Sequence, residues 1–133
     1  MDDALLAELV ATPPDAFVAR RNALVAELKA QGDKDAAAAV AKLRRPPREA
    51  WALNVAAREH PDVATEWAEA ARAARDAQAT GSADLRPALT RLRAATAAFV
   101  DAVGDRAPAG DAARLLAESA MSEEQADAVA AGT

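Results

Sequence analysis

Apolar residues recur at helical spacing along most of the chain, and residues 85–103 show this pattern most clearly. Positions separated by four and three residues in turn carry Leu85, Leu89, Leu92, Thr96, Phe99 and Val103. This spacing places all of them on one face of a helix. It predicts a helix that covers a core, and it also fits a coiled-coil-like seam.

Prolines, glycines and capping residues divide the rest of the chain into further helices. An acidic helix is predicted over residues 2–11, and a second one from Pro13, with Thr12 as its N-cap, to Gly32. The two prolines at 46 and 47 stop the next helix, because the residue before a proline is pushed out of the α region.

The third helix is expected to begin at Asp33 or Asp35, and Pro46 is expected to open a fourth over about 46–59. A break at 60–62 starts a fifth helix, which ends near Gly81. With 42 alanines and no isoleucine or tyrosine, the composition favours helix over strand throughout. The predicted fold class is therefore all-α, a compact bundle of six to eight short amphipathic helices.

The chain is predicted to be a single all-α domain over residues 1–133, because this length suits one hydrophobic core. Residues 1–103 would form the main bundle, and residues 104–110 a loop or hinge. Residues 111–133 would form acidic C-terminal helices, the last of them opening with a capping box at Ser122.

Charge is distributed unevenly along the chain. The net charge is −5, yet residues 15–60 carry nine Lys or Arg against six acidic residues. Residues 100–133 carry seven acidic residues against two arginines. A local excess of positive charge suits a phosphate or the acidic surface of a partner.

A candidate binding site follows from this basic region and the adjoining helix. Its predicted members are Arg20, Arg21, Arg44, Arg45, Arg48, Trp51 and Asn54. In one interpretation, Arg44 and Arg45 meet an anion at the start of the fourth helix. In the other, which we favour, they stabilise the C-terminal end of the third helix, and Arg48 pairs with acids or stacks on Trp51.

The two tryptophans and Asn54 also have structural and functional interpretations. Trp51 would stack on a base or anchor a partner, but its wide apolar helix face favours a place in the core. The same reasoning applies to Trp67. Asn54 either fixes the packing register or helps to form a ligand pocket, and the structural use is favoured.

Enzyme chemistry is not expected from this sequence. One histidine and no cysteine or tyrosine leave few nucleophiles and bases. The sequence contains no glycine-rich phosphate loop and no acidic or histidine set with metal-ligand spacing. We therefore predict a non-enzyme with no cofactor and no metal.

The location predicted is the cytoplasm. The absence of cysteine fits a reducing compartment. The N-terminal residues begin with acids rather than with the basic segment of a signal peptide. No apolar stretch reaches the roughly 18 residues that a membrane span requires, so no membrane association is expected.

Residues 17–54, FVARRNALVAELKAQGDKDAAAAVAKLRRPPREAWALN, carry a resemblance to a known group of sequences. They resemble the N-terminal part of a family of actinobacterial helical proteins that share an LRRP segment followed by a Trp-x-x-Asn motif. In this chain the motif falls on 43–46 and on Trp51 and Asn54. The resemblance implies no particular activity. Members of that family continue beyond this length, which leaves open whether the chain is a short form or part of a longer protein.

Two functions remain as hypotheses. The first is a non-enzymatic helical interaction module, which binds another protein or a second copy of itself through the Arg44–Asn54 region or through the 85–103 stripe. The alternative is a nucleic-acid-associated protein that uses the basic residues of 20–58. They are Arg20, Arg21, Lys42, Arg44, Arg45, Arg48 and Arg58. The salt dependence of binding distinguishes the two hypotheses, because phosphate binding weakens steeply with ionic strength.

Overall fold

The computed structural model describes residues 3–132, and this part of the chain is helical without strands. It contains eight α-helices, which confirms the predicted all-α bundle. They are α1 (Asp3–Ala11), α2 (Pro14–Ala30), α3 (Lys34–Ala41), α4 (Arg48–Glu59), α5 (Pro61–Thr80), α6 (Leu85–Val103), α7 (Ala109–Ala120) and α8 (Glu123–Ala131). A 3₁₀ turn, Gly104–Arg106, joins α6 to α7.

At both double prolines the helix begins later than predicted, one residue later for α2 and two residues later for α4. Pro13 has ψ 147° and Pro47 has ψ 154°, so α2 begins at Pro14 and α4 at Arg48. The prediction that Pro46 opens α4 is wrong because Pro47 follows it and excludes the α region. Thr12 is not the cap, since its hydroxyl donates to the Glu8 carbonyl of α1 at 2.8 Å.

Three other helix ends agree with the sequence signals. The Asp33 carboxylate accepts from the Ala36 amide at 3.1 Å, which caps α3. Ser122 accepts from the Gln125 amide at 3.3 Å and caps α8. Gly81 ends α5 with φ 64°, a left-handed conformation that glycine adopts without steric cost.

The main core lies among α4, α5, α6, α7 and α8. Trp67 of α5 is fully buried and meets Phe99 of α6 edge to face, with ring centroids 5.8 Å apart. Leu53 of α4 and Leu116 of α7 belong to the same buried cluster. The helices of the acidic C-terminal segment therefore share one core with α4–α6, and Ala107 in the connection is buried with them.

The first three helices surround a second, smaller apolar cluster. It contains Leu9 of α1, Phe17 and Leu28 of α2, and Val40 of α3. Helix α1 also runs beside α4, so it connects this cluster to the main core. The interpretation of the chain as a single domain stays a prediction.

Arginine side chains tie helix ends to neighbouring helices. Arg58 of α4 donates to the carbonyls of Ala7 and Gly132, and Arg75 of α5 donates to the Ala120 carbonyl at the end of α7 at 2.7 Å. The Ala120 and Gly132 carbonyls lie at the C-terminal ends of α7 and α8, the negative ends of the helix dipoles, whereas Ala7 lies in the middle of α1. No helix within residues 3–132 combines the length and apolar character needed to cross a membrane.

Candidate binding surfaces

Arg20 and Arg21 of the predicted basic group contact neighbouring helices and helix ends. Arg20 forms ion pairs with Glu8 at 2.8 Å and with Glu27 at 3.6 Å. Arg21 donates to the Leu43 carbonyl at 3.0 Å, just after the end of α3. Arg21, rather than Arg44 or Arg45, thus occupies the position that stabilises this helix end.

Arg44, Arg45 and Arg48 are exposed but do not face one recess. Arg48 donates to the Arg106 carbonyl at 3.3 Å, and with Arg45 it borders a shallow hollow beside Pro14. Arg44 lines a different, apolar cleft. The structure therefore separates the three arginines instead of directing them at a common anion.

The two tryptophans have different environments. Trp67 is fully buried, and its indole N–H has no hydrogen-bond partner within the described part of the chain. Trp51 is half-buried, and its indole N–H donates to the Ala11 carbonyl at 3.0 Å. Trp51 therefore attaches the end of α1 to α4.

An apolar cleft of about 290 Å³ lies where α1, α4 and the 43–46 segment meet. Its lining includes two of the predicted site residues, Arg44 and Asn54. The other lining residues are Leu6, Leu9, Val10, Phe17, Leu43, Pro46, Ala50, Leu53, Leu115 and Val129. The exposed Arg44 lies at the rim, so the cleft combines apolar walls with one cation and one amide.

Asn54 contributes the buried polar group of this cleft. Its residue exposure is 7%, and its amide forms no hydrogen bond with another residue of 3–132. Solvent still reaches this amide, because Trp67 Nε1 is the one buried side-chain polar atom without a partner among the described residues. This amide is therefore available to a hydrogen-bonding group that enters the cleft.

A second recess, a groove of about 450 Å³, lies between α6 and α7. Leu89 on one side is 37% exposed and Met121 on the other is 69% exposed. The groove is also lined by the small residues Ala97, Ala117 and Ala120, together with Leu92, Thr96 and Leu116. We call this surface the α6–α7 groove.

The α6–α7 groove modifies the interpretation of the 85–103 stripe. Phe99 and Val103 are buried as predicted, whereas Leu89 on the same stripe is exposed. Sequence reasoning did not find Met121, which follows α7 directly. The only sequence signal for Met121 is that an apolar residue directly precedes the capping residue Ser122.

Helix α6 carries one arginine that forms an ion pair and two that form none within the described residues. Arg91 donates from Nε and Nη2 to the two carboxylate oxygens of Glu66, at 2.9 and 2.6 Å. These hydrogen bonds hold the pKa of Glu66 below its usual value and raise the pKa of Arg91. Arg86 and Arg93 form no ion pair within residues 3–132, and Arg93 borders the α6–α7 groove.

Within the described residues, no group of three or more His, Asp or Glu side chains could hold a metal ion. Comparison with protein-family models, with curated proteins and with solved structures gives no match to this chain. The likeness to the actinobacterial family thus stays a resemblance. Function resides in sites rather than in the fold as such, and the two recesses are the candidate sites of this chain.

Proposed function

We propose that this protein is a non-enzymatic interaction module that binds an acidic amphipathic helix of another protein in the α6–α7 groove. The observation that carries the proposal is the exposure of Leu89 and Met121 on the two sides of an alanine-lined groove. Large apolar side chains grouped at a recess are typical of interaction surfaces. Methionine suits such a surface because its flexible side chain adapts to different partners.

The shape of the groove favours a helix over other apolar partners. Ala97, Ala117 and Ala120 have small side chains, so a third helix can approach α6 and α7 closely. Leu89 and Met121 would then flank its apolar stripe, as in other helix-in-groove complexes. A partner helix would present apolar residues at i, i+3, i+4 and i+7.

The charge at the groove favours an acidic partner helix. Arg93 borders the groove and Arg86 borders an adjoining hollow on α6, and both are exposed without an ion pair in the described chain. They lie seven residues apart on α6, or about 10 Å along the helix axis. Carboxylates on the partner at similar spacing would pair with them, which would set the orientation of binding more than its strength.

The nucleic-acid alternative has less support because its basic side chains are dispersed. Arg20, Arg21, Arg48 and Arg58 are engaged in intramolecular hydrogen bonds or ion pairs. Their charges remain, but few of their donors are free for phosphate. The prediction of a cytoplasmic location is retained, with the absence of cysteine as its support.

A displayed library of amphipathic helices tests the proposed function. The helices keep apolar residues at i, i+3, i+4 and i+7 and have random residues elsewhere, and they are selected on the purified protein. We expect enrichment of Asp and Glu at the flanking positions. Enriched helices should lose binding to the Leu89→Glu variant and keep it with Val18→Glu, which places the same change at an exposed site on α2.

Two results would contradict this proposal. Selected helices that bind Leu89→Glu as well as they bind the native protein would show that the groove is not the site. Sedimentation across a range of concentrations gives the second test. Dimerisation that Leu89→Glu abolishes would show that a second copy, rather than another protein, fills the groove. Circular dichroism of both variants checks that they remain folded.

A further inference from the structure

We propose that the cleft between α1 and α4 binds a small carboxylic acid with an apolar body that carries one further hydrogen-bonding group. The inference concerns a different recess from the α6–α7 groove and does not rest on the proposed function. It follows from three properties of the cleft: its apolar walls, the cation at its rim and the unpaired amide inside it.

The walls of the cleft select an apolar body of limited size. Leu6, Leu9 and Val10 of α1 face Leu53 of α4 across it. A volume of about 290 Å³ holds about ten groups of the size of a water molecule, at about 30 Å³ each. This corresponds to a medium-length acyl chain or a substituted aromatic ring rather than to a peptide helix.

Arg44 determines the charge of the ligand. Arg44 is an exposed residue that lines the cleft and has no ion pair within residues 3–132. The planar guanidinium presents two parallel donors that match a carboxylate. An acid with its carboxylate at the rim would thus be favoured over a neutral or cationic molecule of the same shape.

Asn54 determines the second polar group. Asn54 is 7% exposed as a residue, lines the cleft, and has a solvent-accessible amide without a hydrogen-bond partner in the described chain. A purely apolar ligand would seal this amide away from water without a partner, which costs affinity. A hydroxyl or carbonyl group on the body of the ligand would remove that cost.

The cleft is held open by the attachment of α1 to α4. Trp51 donates to the Ala11 carbonyl and Arg58 donates to the Ala7 carbonyl, at 3.0 and 2.9 Å. These two bonds hold α1 alongside α4 at points one helical turn apart on α1. The recess is thus part of the folded arrangement, as is usual for small-molecule sites.

Titration calorimetry with four probes tests this inference on the full chain. They are decanoate, 3-hydroxydecanoate, decanol and decyltrimethylammonium, with decanol kept below its solubility limit and the ionic probes below their micelle concentrations. The proposal predicts that both acids bind and that the hydroxy acid binds more tightly. It also predicts that the alcohol and the cation bind at least about tenfold more weakly than decanoate.

Four variants assign the contacts. Arg44→Gln should weaken the binding of decanoate about tenfold, whereas Arg45→Gln, at the neighbouring exposed arginine outside the cleft, should leave it unchanged. Asn54→Leu should remove the advantage of the hydroxy acid over decanoate. Leu89→Glu should leave binding of both acids unchanged, which separates this site from the α6–α7 groove.

Several results would overturn the inference. Equal affinity for decanol and decanoate would show an apolar recess without charge selection, and so would equal effects of Arg44→Gln and Arg45→Gln. Absence of binding by every probe to a protein with native circular dichroism would also contradict it. If Asn54→Leu fails to fold, the preference of the native protein for the hydroxy acid decides the role of the amide.

Discussion

Arg58 donates from both Nε and Nη2 to the carbonyl oxygen of Gly132, at 3.1 and 2.9 Å. Its Nη1 donates to the Ala7 carbonyl at 2.9 Å. One side chain of α4 therefore joins the end of α8 to the side of α1. This contact connects helices from the two ends of the described chain and lies beside the α1–α4 cleft.

Replacing Arg58 tests the importance of that contact. Arg58→Gln keeps a polar side chain but cannot reach both carbonyls, and we expect it to lower the free energy of unfolding by about 1.5–3 kcal/mol. Arg72→Gln is the control, because Arg72 is exposed and has only a 3.7 Å ion pair with Glu123. Urea unfolding measures both. Equal losses of unfolding free energy for the two variants would show that the Arg58 hydrogen bonds stabilise the fold no more than an exposed ion pair does.

Two glycines make a matched pair for a backbone test. Gly132 has φ 75°, and an added Cβ would lie 2.9 Å from Arg58 Cγ and 3.0 Å from the Asn54 carbonyl. Gly132→Ala should therefore destabilise the protein. Gly110→Ala, in the first turn of α7 with open space around it, should stabilise by about 0.4–1 kcal/mol. Thermal unfolding of both variants gives the signs, and a stabilising Gly132→Ala would contradict the packing at α8.

The two tryptophans should respond differently to substitution. Trp67→Ala opens a cavity in the main core and should cost about 3–5 kcal/mol. Trp67→Phe should cost much less, because it also removes a buried N–H that has no described partner. Trp51→Phe loses the bond to Ala11 and should cost about 1 kcal/mol. Guanidinium unfolding of the three variants checks this order, and a larger loss for Trp51→Phe than for Trp67→Ala would contradict it.

The Glu66–Arg91 pair predicts a stability change with pH. The folded pKa of Glu66 lies below its unfolded value, so the stabilisation is complete above the unfolded value of about 4.3. It is lost as the pH falls through the lower folded pKa. The stability difference between native protein and Glu66→Gln should therefore be largest near neutral pH and vanish in acid.

The size of that pH effect is limited because the pair is exposed to solvent. The Glu66 and Arg91 side chains are 47% and 42% exposed, so the effect should shrink further in about 1 M salt. Unfolding curves for both proteins at several pH values and two salt concentrations measure it. A difference that grows toward acid pH would have the wrong sign for this ion pair.

Local signals predicted the helices well because they act within a few residues. Asp33, Gly81 and Ser122 mark helix ends through contacts with their own neighbours. The same rule that removes Arg45 from the α region also applies to Pro46, since Pro47 follows it. This rule excludes Pro46 as the start of α4 but does not distinguish Pro47 from Arg48, and in α2 the second proline, Pro14, is the first helical residue.

The binding surfaces were less predictable because they depend on contacts between distant residues. Periodicity identifies the apolar face of α6 but not how much of it α7 covers, so the exposure of Leu89 was not foreseen. Arg44 and Asn54 were selected for other reasons, and α1 then completes a cleft around them. The pairing of Arg58 with Gly132 spans 74 residues and has no local signal.

Amide chemical-shift mapping can show whether the α6–α7 groove is the surface for a partner helix. The full ¹⁵N-labelled chain is titrated with an acidic amphipathic helix peptide selected from the library. We expect the largest shifts at Leu89, Ala97, Ala117 and Met121, with smaller shifts elsewhere. Shifts centred on Arg44 and Arg45, or spread over the molecule without a maximum at the groove, would contradict the proposed function.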